Sequence, residues 1–475
     1  MNEIFTAVAG FFGGVLTALD NFFVNCTGFL FGPVMLTVFF GTGILMTIVT
    51  RGVQFRKFGA AVREVFGGLR SRKSGDGQLK PFQALATALS GCVGNGNVVG
   101  VAAALVSGGP GAIFWMWVAS ITGMATKYAE ILLAMHFREK DDAGIWRGGV
   151  MYILTRGMKE NVRWLAKILG GVFAVCCVAV SFISCNAVQS SSIAGVLKAS
   201  IPSVPVWVWG LVFCAASALV IMGGLKKIGS VCSVLTPVMA VVYVFFGCII
   251  LVLNAEKIPG ALGLIFGSAF SSRAAWGGVT GITIKTAISK GVTRGVFSNE
   301  AGVGGAPLVH VTSDIDVPAK QSLYGIVEVF FDTIVICTFT ALVILTSGVG
   351  DIVAAGGIPV TQTAAISNAA WTTALGTLGD VVVTVCLVLF CFSTTIGWET
   401  YGETAWQYLF GSKHLSLFRV IHVGMTFLGF MVSAQVLWDA ADFCNGIMCI
   451  PNLFSLLLFW KIIAKDTKKY IDPLA

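Results

Sequence analysis

The chain has 475 residues, 56% hydrophobic and only 11% charged, with a mean hydropathy of +0.86. A soluble domain carries roughly 25% charged residues, so the composition excludes an ordinary water-wetted globule. The net charge of +8 sits in the loops between apolar runs, the distribution that membrane orientation requires, and this excludes a nucleic-acid-binding protein.

A membrane-crossing helix needs about 20 apolar residues, and helices are the open-chain way to satisfy every backbone group in lipid. Residues 1–25 hold Glu3 and Asp20 and lack the basic leading stretch of a cleavable signal; they form a shorter apolar piece with Gly and Phe that reads as an interfacial helix rather than a span. Eleven apolar segments follow: 27–50, 82–107, 111–136, 168–197, 205–223, 229–253, 281–311 (interrupted), 321–347, 379–409, 415–437 and 441–464. Lys and Arg concentrate in 51–81, 137–167, the turn at Lys226 and Lys227, the turn at Lys413 and Arg419, and the stretch after 460. With eleven spans those loops share one side. The positive-inside rule then places the N-terminus outside and the C-terminus in the cytoplasm of a multi-pass cell-membrane protein. The loop 348–378 carries no Lys or Arg. Lys285, Lys290 and Arg294 fall on the outer half of the seventh segment, where they must face a cavity, pair with acids or snorkel. The 13 cysteines lie almost entirely in apolar runs, as small packing residues rather than a disulfide or zinc framework.

Two segments are interrupted. The second carries Gly91, Gly94, Asn95, Gly96, Asn97 and Gly100 at mid-span; the seventh carries Phe297, Ser298, Asn299, Glu300, Ala301, Gly302 and Gly304. Glycine costs roughly 1 kcal/mol against alanine inside a helix, so a plain anchor helix would avoid them. The spacing Gly94-x-Gly96-x-x-x-Gly100 is not a nucleotide loop and no Walker lysine occurs, which excludes a nucleotide partner. Set aside the first span and ten remain, five and five. Each half opens with an interrupted helix, and an odd number of spans inverts the second half. This is the sequence mark of a transporter binding site. It divides the chain into 1–81 (interfacial piece, extra helix and basic loop), 82–253 (first five-helix repeat), 254–464 (inverted repeat) and 465–475 (tail). A broken helix offers N–H groups to a carboxylate and carbonyls to an ammonium group or Na⁺, so one break binds an amino-acid zwitterion and a cation.

Seven runs resemble the alanine/glycine:cation symporter family, the sodium:alanine symporters. They are ATALSGCVGNGNVVGVAAAL (85–105), GGPGAIFWMWVASITGMATKYAEILLAMHFR (108–138), RGGVMYIL (147–154), NAVQSSSIA (186–194), RGVFSNEAGVGGAP (294–307), FSTTIGWETYGETAWQYLFG (392–411) and WDAADFCNGIMCIPNLFSLL (438–457). The resemblance implies an all-α LeuT-type bundle of 5+5 inverted repeats after one extra helix, cotransporting alanine or glycine with Na⁺, or H⁺, by alternating access. The family usually has GTGN where this chain has Gly94-Asn95-Gly96-Asn97. The larger amide of Asn95 leaves glutamine as an alternative substrate.

Gly94 to Asn97 are then expected to hold the substrate carboxylate, with Phe297, Ser298, Ala301 and Gly302 facing them. Asn186 and Gln189 read either as pocket lining or as interhelical glue. Glu300 resembles an invariant family acid that orients the broken backbone beside Asn299, or titrates. Ser393, Thr394 and Gly91 supply hard oxygen ligands for Na⁺, and the match puts Thr394 and Trp398, one turn apart, on the pocket face. Lys127 and Glu130 at i,i+3 read as a mutual pair. Lipid and a small neutral amino acid are the partners of an expected monomer. A channel would need repeated pore-lining elements, and an intramembrane enzyme a nucleophile–base pair or metal cluster; no GxSxG, HExxH or paired intramembrane Asp occurs.

Overall fold

A computed structural model describes residues 21–28, 30, 32–70, 77–270, 283–354, 363–432 and 435–471. Residues 1–20, most of the expected interfacial piece, lie outside these. The described chain is helical throughout, apart from the two-residue hairpin strands Glu139–Lys140 and Trp146–Arg147 and an isolated bridge between Leu79 and Ser313. Among the described residues, six helices are long and apolar enough to cross a membrane, seven when one bent pair is taken as a single span. Val252 and Val241 on the helix Gly224–Leu253 stand 73% and 67% exposed, a face suited to lipid rather than water.

The bent pair is the first broken span. Pro at the first helical position starts Pro81–Cys92, where its missing N–H costs nothing. The chain then turns extended at Val93, with ψ 92°, and resumes as Gly96–Gly108, bent by 50° from the first half. The second broken span is Ile284–Asn299, a turn, and the short helix Pro307–His310. Glu300 ends the first of these in the left-handed region, φ 55°, a conformation that costs a non-glycine residue about 1–2 kcal/mol.

The second broken span packs along Gly111–His136, as do the lead helix Pro33–Val49 and Pro318–Val329. Arg163–Phe182 and Gln189–Ser200 run on through a wide helical turn at Ile183–Val188. Similar wide turns occur at Gly96–Gly100 and Phe330–Cys337, and such turns gather at functional sites. The helix Thr377–Phe410 crosses beside the first broken span, and Leu415–Met431 and Gln435–Leu458 complete the bundle.

Several stretches read from the sequence as connections are helical. Phe58–Arg70 lies within the basic loop and packs on Pro318–Val329, with the Tyr324 hydroxyl donating to the Glu64 carbonyl at 2.9 Å. Val53–Arg56, Val150–Gly157, Ile258–Phe270, Val349–Ala354 and Thr363–Leu375 are further examples. Thr363–Leu375 is buried enough at Trp371, 1% exposed, to be part of the core. Its apolar run is too short to read as a span, which is why it was missed. The last segment divides into Gln435–Leu458 and the amphipathic Trp460–Ile471. All 13 cysteines are free thiols.

Candidate functional site

The two breaks meet. A Cβ built on Gly96 would lie 3.8 Å from the Ser298 Cα, and the Cys92 thiol reaches the Asn299 carbonyl at 3.7 Å. Between them lies a cavity of ≈ 60 Å³. Gly94, Gly96, Gln189, Phe297, Thr394 and Trp398, expected around the substrate, line it, together with Gly91, expected at the cation, and Glu300, expected to orient the break or titrate. Thr394 and Trp398 present one face of the same helix to it. Arg294, one of the awkward outer-half charges, also faces it, with its guanidinium carbon 5.9 Å from the Phe297 ring centre.

Side chains satisfy the broken backbone. At the first break the Gly94 N–H donates to Asn97 Oδ1 at 2.9 Å, and the Asn95 N–H to Gln189 Oε1 at 3.3 Å. At the second, the Ala301 N–H donates to Asn299 Oδ1 at 2.9 Å and the Gly302 N–H to Glu130 Oε1 at 2.7 Å. Buried backbone groups need such partners, so these side chains fix the shape of both breaks.

Thr394 closes on the first break. Its hydroxyl lies 3.0 Å from the carbonyls of Ser90 and Phe390 and 3.4 Å from that of Val93. The hydroxyl thus ties its own helix, through the i−4 carbonyl of Phe390, to the end of the first half-helix. Ser393 turns away: its hydroxyl donates to Phe390 O at 2.9 Å and faces the Met239 sulfur at 3.5 Å.

Other expected residues point elsewhere. The Asn95 amide donates to the Ser192 hydroxyl at 2.8 Å and is outside the cavity lining. Asn97 donates to Asp332 Oδ1 at 2.7 Å and to Ser298 Oγ at 3.0 Å. Ser298 in turn donates to Asp332 Oδ2 at 2.6 Å. Asn299 donates to Thr333 Oγ1 at 3.0 Å. Ala301 packs near Gly123 on the far side of the break, and Gly302, at φ 97°, lies against Phe39. Asn186 donates to the His422 carbonyl at 2.6 Å and accepts from Thr426 at 3.0 Å, which joins the wide turn to Leu415–Met431; of its two readings this geometry is glue.

Behind both breaks lies a buried polar layer that the sequence did not assign. Lys127 does not pair with Glu130; its ammonium meets Glu328 Oε1 at 3.2 Å. Glu328 also contacts the Cys92 thiol at 3.3 Å and His310 Nε2 at 3.0 Å. Glu130 accepts from Asn452 at 2.5 Å besides Gly302. Asp442, Asn445, Ser184 and Cys185 join the cavity wall unforeseen. Acids and a lysine inside apolar runs were the visible signal; their partners, 172 to 322 residues away for Glu130, were not.

Two broken helices meeting over a polar cavity, within a bundle of membrane-length helices, define a secondary transporter. Residues 16–474 match the model of the sodium:alanine symporter family, and the chain belongs to that family. It is 41% identical over 442 residues to the sodium/alanine symporter AgcS of Methanococcus maripaludis, covering 93% of this chain and 95% of that one. It is 34% identical over 443 residues to the probable sodium/glutamine symporter GlnT of Bacillus subtilis, covering 93% and 88%. Its fold is similar to the crystal structure of MhsT in complex with L-phenylalanine, with a TM-score of 0.59 over 82% of this chain and 96% of that one at 13% identity. The protein is an integral membrane transporter of the LeuT type, a sodium-coupled amino-acid symporter and not an enzyme.

Proposed function

We propose that the substrate is a small neutral amino acid of the alanine or glycine type, carried with Na⁺ by alternating access. The observation that carries the substrate size is the cavity itself: ≈ 60 Å³, walled by Phe297 and Trp398. The substrate carboxylate is held at the start of the second half-helix, at Gly96, where the helix end carries partial positive charge; the Gly94 N–H is already taken by Asn97. Phe297 and Trp398 enclose the side chain, and Gln189 closes the wall beside the break. Na⁺ takes the oxygens around Thr394 and the carbonyls beside Gly91. Ser298, Ala301, Gly302, Asn97 and Asn299 then act by shaping the breaks, and Asn186 by joining helices.

Asn95 spends its amide on Ser192 rather than on the cavity. This favours alanine or glycine over glutamine in spite of the departure from the family's threonine.

The cytoplasmic side is the face where the basic connections meet. There Arg138 donates to the carbonyls of Val311 and Ser313 at 3.0 and 3.1 Å. Arg147 holds Asp141 at 3.1 Å and Glu403 at 3.6 Å, and Arg419 donates to Glu403 at 2.8 Å. The Gln78 and Leu79 N–H groups bond the Thr312 carbonyl, which ties the entry of the first broken span to the exit of the second. These contacts close the path from that side, and the bundle rocks them open to release substrate.

The test is uptake of labelled alanine, glycine and glutamine into proteoliposomes under an inward Na⁺ gradient, with choline as control. Na⁺-dependent accumulation of alanine or glycine in preference to glutamine is expected. Accumulation of glutamine alone, or of none of the three, overturns this reading.

A further inference from the structure

The geometry points to Glu300 as the residue that recognises the α-ammonium group of the substrate. This rests on the amino-acid reading above and adds to it the group that selects an amine.

Glu300 is 6% exposed and lines the cavity between the breaks. Its two carboxylate oxygens differ. Oε1 accepts the indole N–H of Trp398 at 2.7 Å. Oε2 is buried and has no hydrogen-bond partner among the described residues. The Tyr401 hydroxyl, on the same helix as Trp398, is a second buried polar atom with no partner. A Cβ on Gly305 would meet Glu300 Oε2 at 3.3 Å and the Tyr401 ring at 3.4 Å, and one on the cavity-lining Gly91 would meet the Tyr401 hydroxyl at 3.1 Å. A buried carboxylate oxygen without a donor is costly.

Charge on the page supports the same end. Arg294 and Asp442, the other charged residues on this cavity, cancel in formal charge. Lys127 is committed to Glu328 at 3.2 Å. With Glu300 ionised, the formal charges on this cavity sum to minus one, which calls for a cationic guest. An α-ammonium supplies the charge and up to three N–H donors, enough for Glu300 Oε2 and the Tyr401 oxygen together.

The experiment is equilibrium binding to the purified full-length protein in Na⁺, with labelled alanine displaced by alanine or by lactate, its analogue with a hydroxyl in place of the ammonium. Wild type and Glu300→Gln are compared, with thermal unfolding of each to confirm the fold. Gln keeps the acceptor for Trp398 and removes the charge. Alanine is expected to displace far better than lactate in wild type. In Glu300→Gln the alanine-to-lactate ratio should fall by about tenfold to a hundredfold, the usual worth of a charge-assisted hydrogen bond. A merely structural role would weaken both ligands alike and leave the ratio unchanged. An unchanged ratio, including one accompanied by a shifted Na⁺ requirement, overturns the assignment and leaves the symporter reading standing. A wild-type protein that binds no amino acid overturns both. If Glu300→Gln does not fold, the wild-type ratio decides: equal displacement by lactate and alanine is contrary to an ammonium-selecting acid.

Discussion

Gly94 shows how much a single residue decides at this site. A Cβ there would stand 2.5 Å from Thr394 Oγ1. The hydroxyl would have to turn away from the carbonyls of Ser90 and Val93, and strain of this kind costs about 1–3 kcal/mol. Gly94→Ala should therefore lower Na⁺-dependent alanine binding by roughly tenfold or more and raise the Na⁺ concentration required. Gly96→Ala, whose Cβ would meet nothing closer than 3.8 Å, should keep the wild-type Na⁺ requirement. A Na⁺ titration of alanine binding checks both, and equal behaviour of the two variants would remove Thr394 from the cation site. Both glycines were legible in the sequence because glycine in mid-span is conspicuous. The direction of a side chain was not. Asn95 and Gln189 are both amides near the break, yet one turns to Ser192 and the other to the cavity, and only the packing of Gln189–Ser200 against the first break distinguishes them.

At the scale of elements, each break is held by a carboxylate from a neighbouring helix. Glu130 on Gly111–His136 secures the second, and Glu328 on Pro318–Val329 reaches the thiol at the end of the first half-helix. Lys127 neutralises Glu328 with both side chains fully buried. Removing one member of such a pair costs about 3–5 kcal/mol because the other is left uncompensated. Lys127→Met should thus lower the unfolding temperature markedly, and Lys127→Met with Glu328→Gln should recover much of it. A single variant as stable as wild type would show the pair to be dispensable. The sequence made the interruptions and most spans visible through apolar length and glycine. It paired Lys127 with Glu130 because i,i+3 neighbours are the only contacts a helix pattern reveals. The wide turns at Ile183–Val188 and Phe330–Cys337 left no such mark, since an extra residue in a turn changes no composition.

For the whole molecule, the fold places two discontinuous helices face to face and carries a charged network around Arg147, Glu403 and Arg419. Apolar runs and the interruptions around Gly94 and Glu300 made the helical bundle and its two breaks legible in the sequence. Helices such as Thr363–Leu375, too short to span, stayed hidden because nothing in their length separates them from loops. The central claim is that one cavity binds amino acid and Na⁺ together, so that each strengthens the other by the same factor. The measurement that tests it most directly is the affinity of purified protein for alanine in Na⁺ and in choline, paired with its affinity for Na⁺ with and without alanine. The account predicts tighter alanine binding in Na⁺ and an equal gain in Na⁺ affinity on adding alanine. Alanine affinity independent of Na⁺ would contradict it.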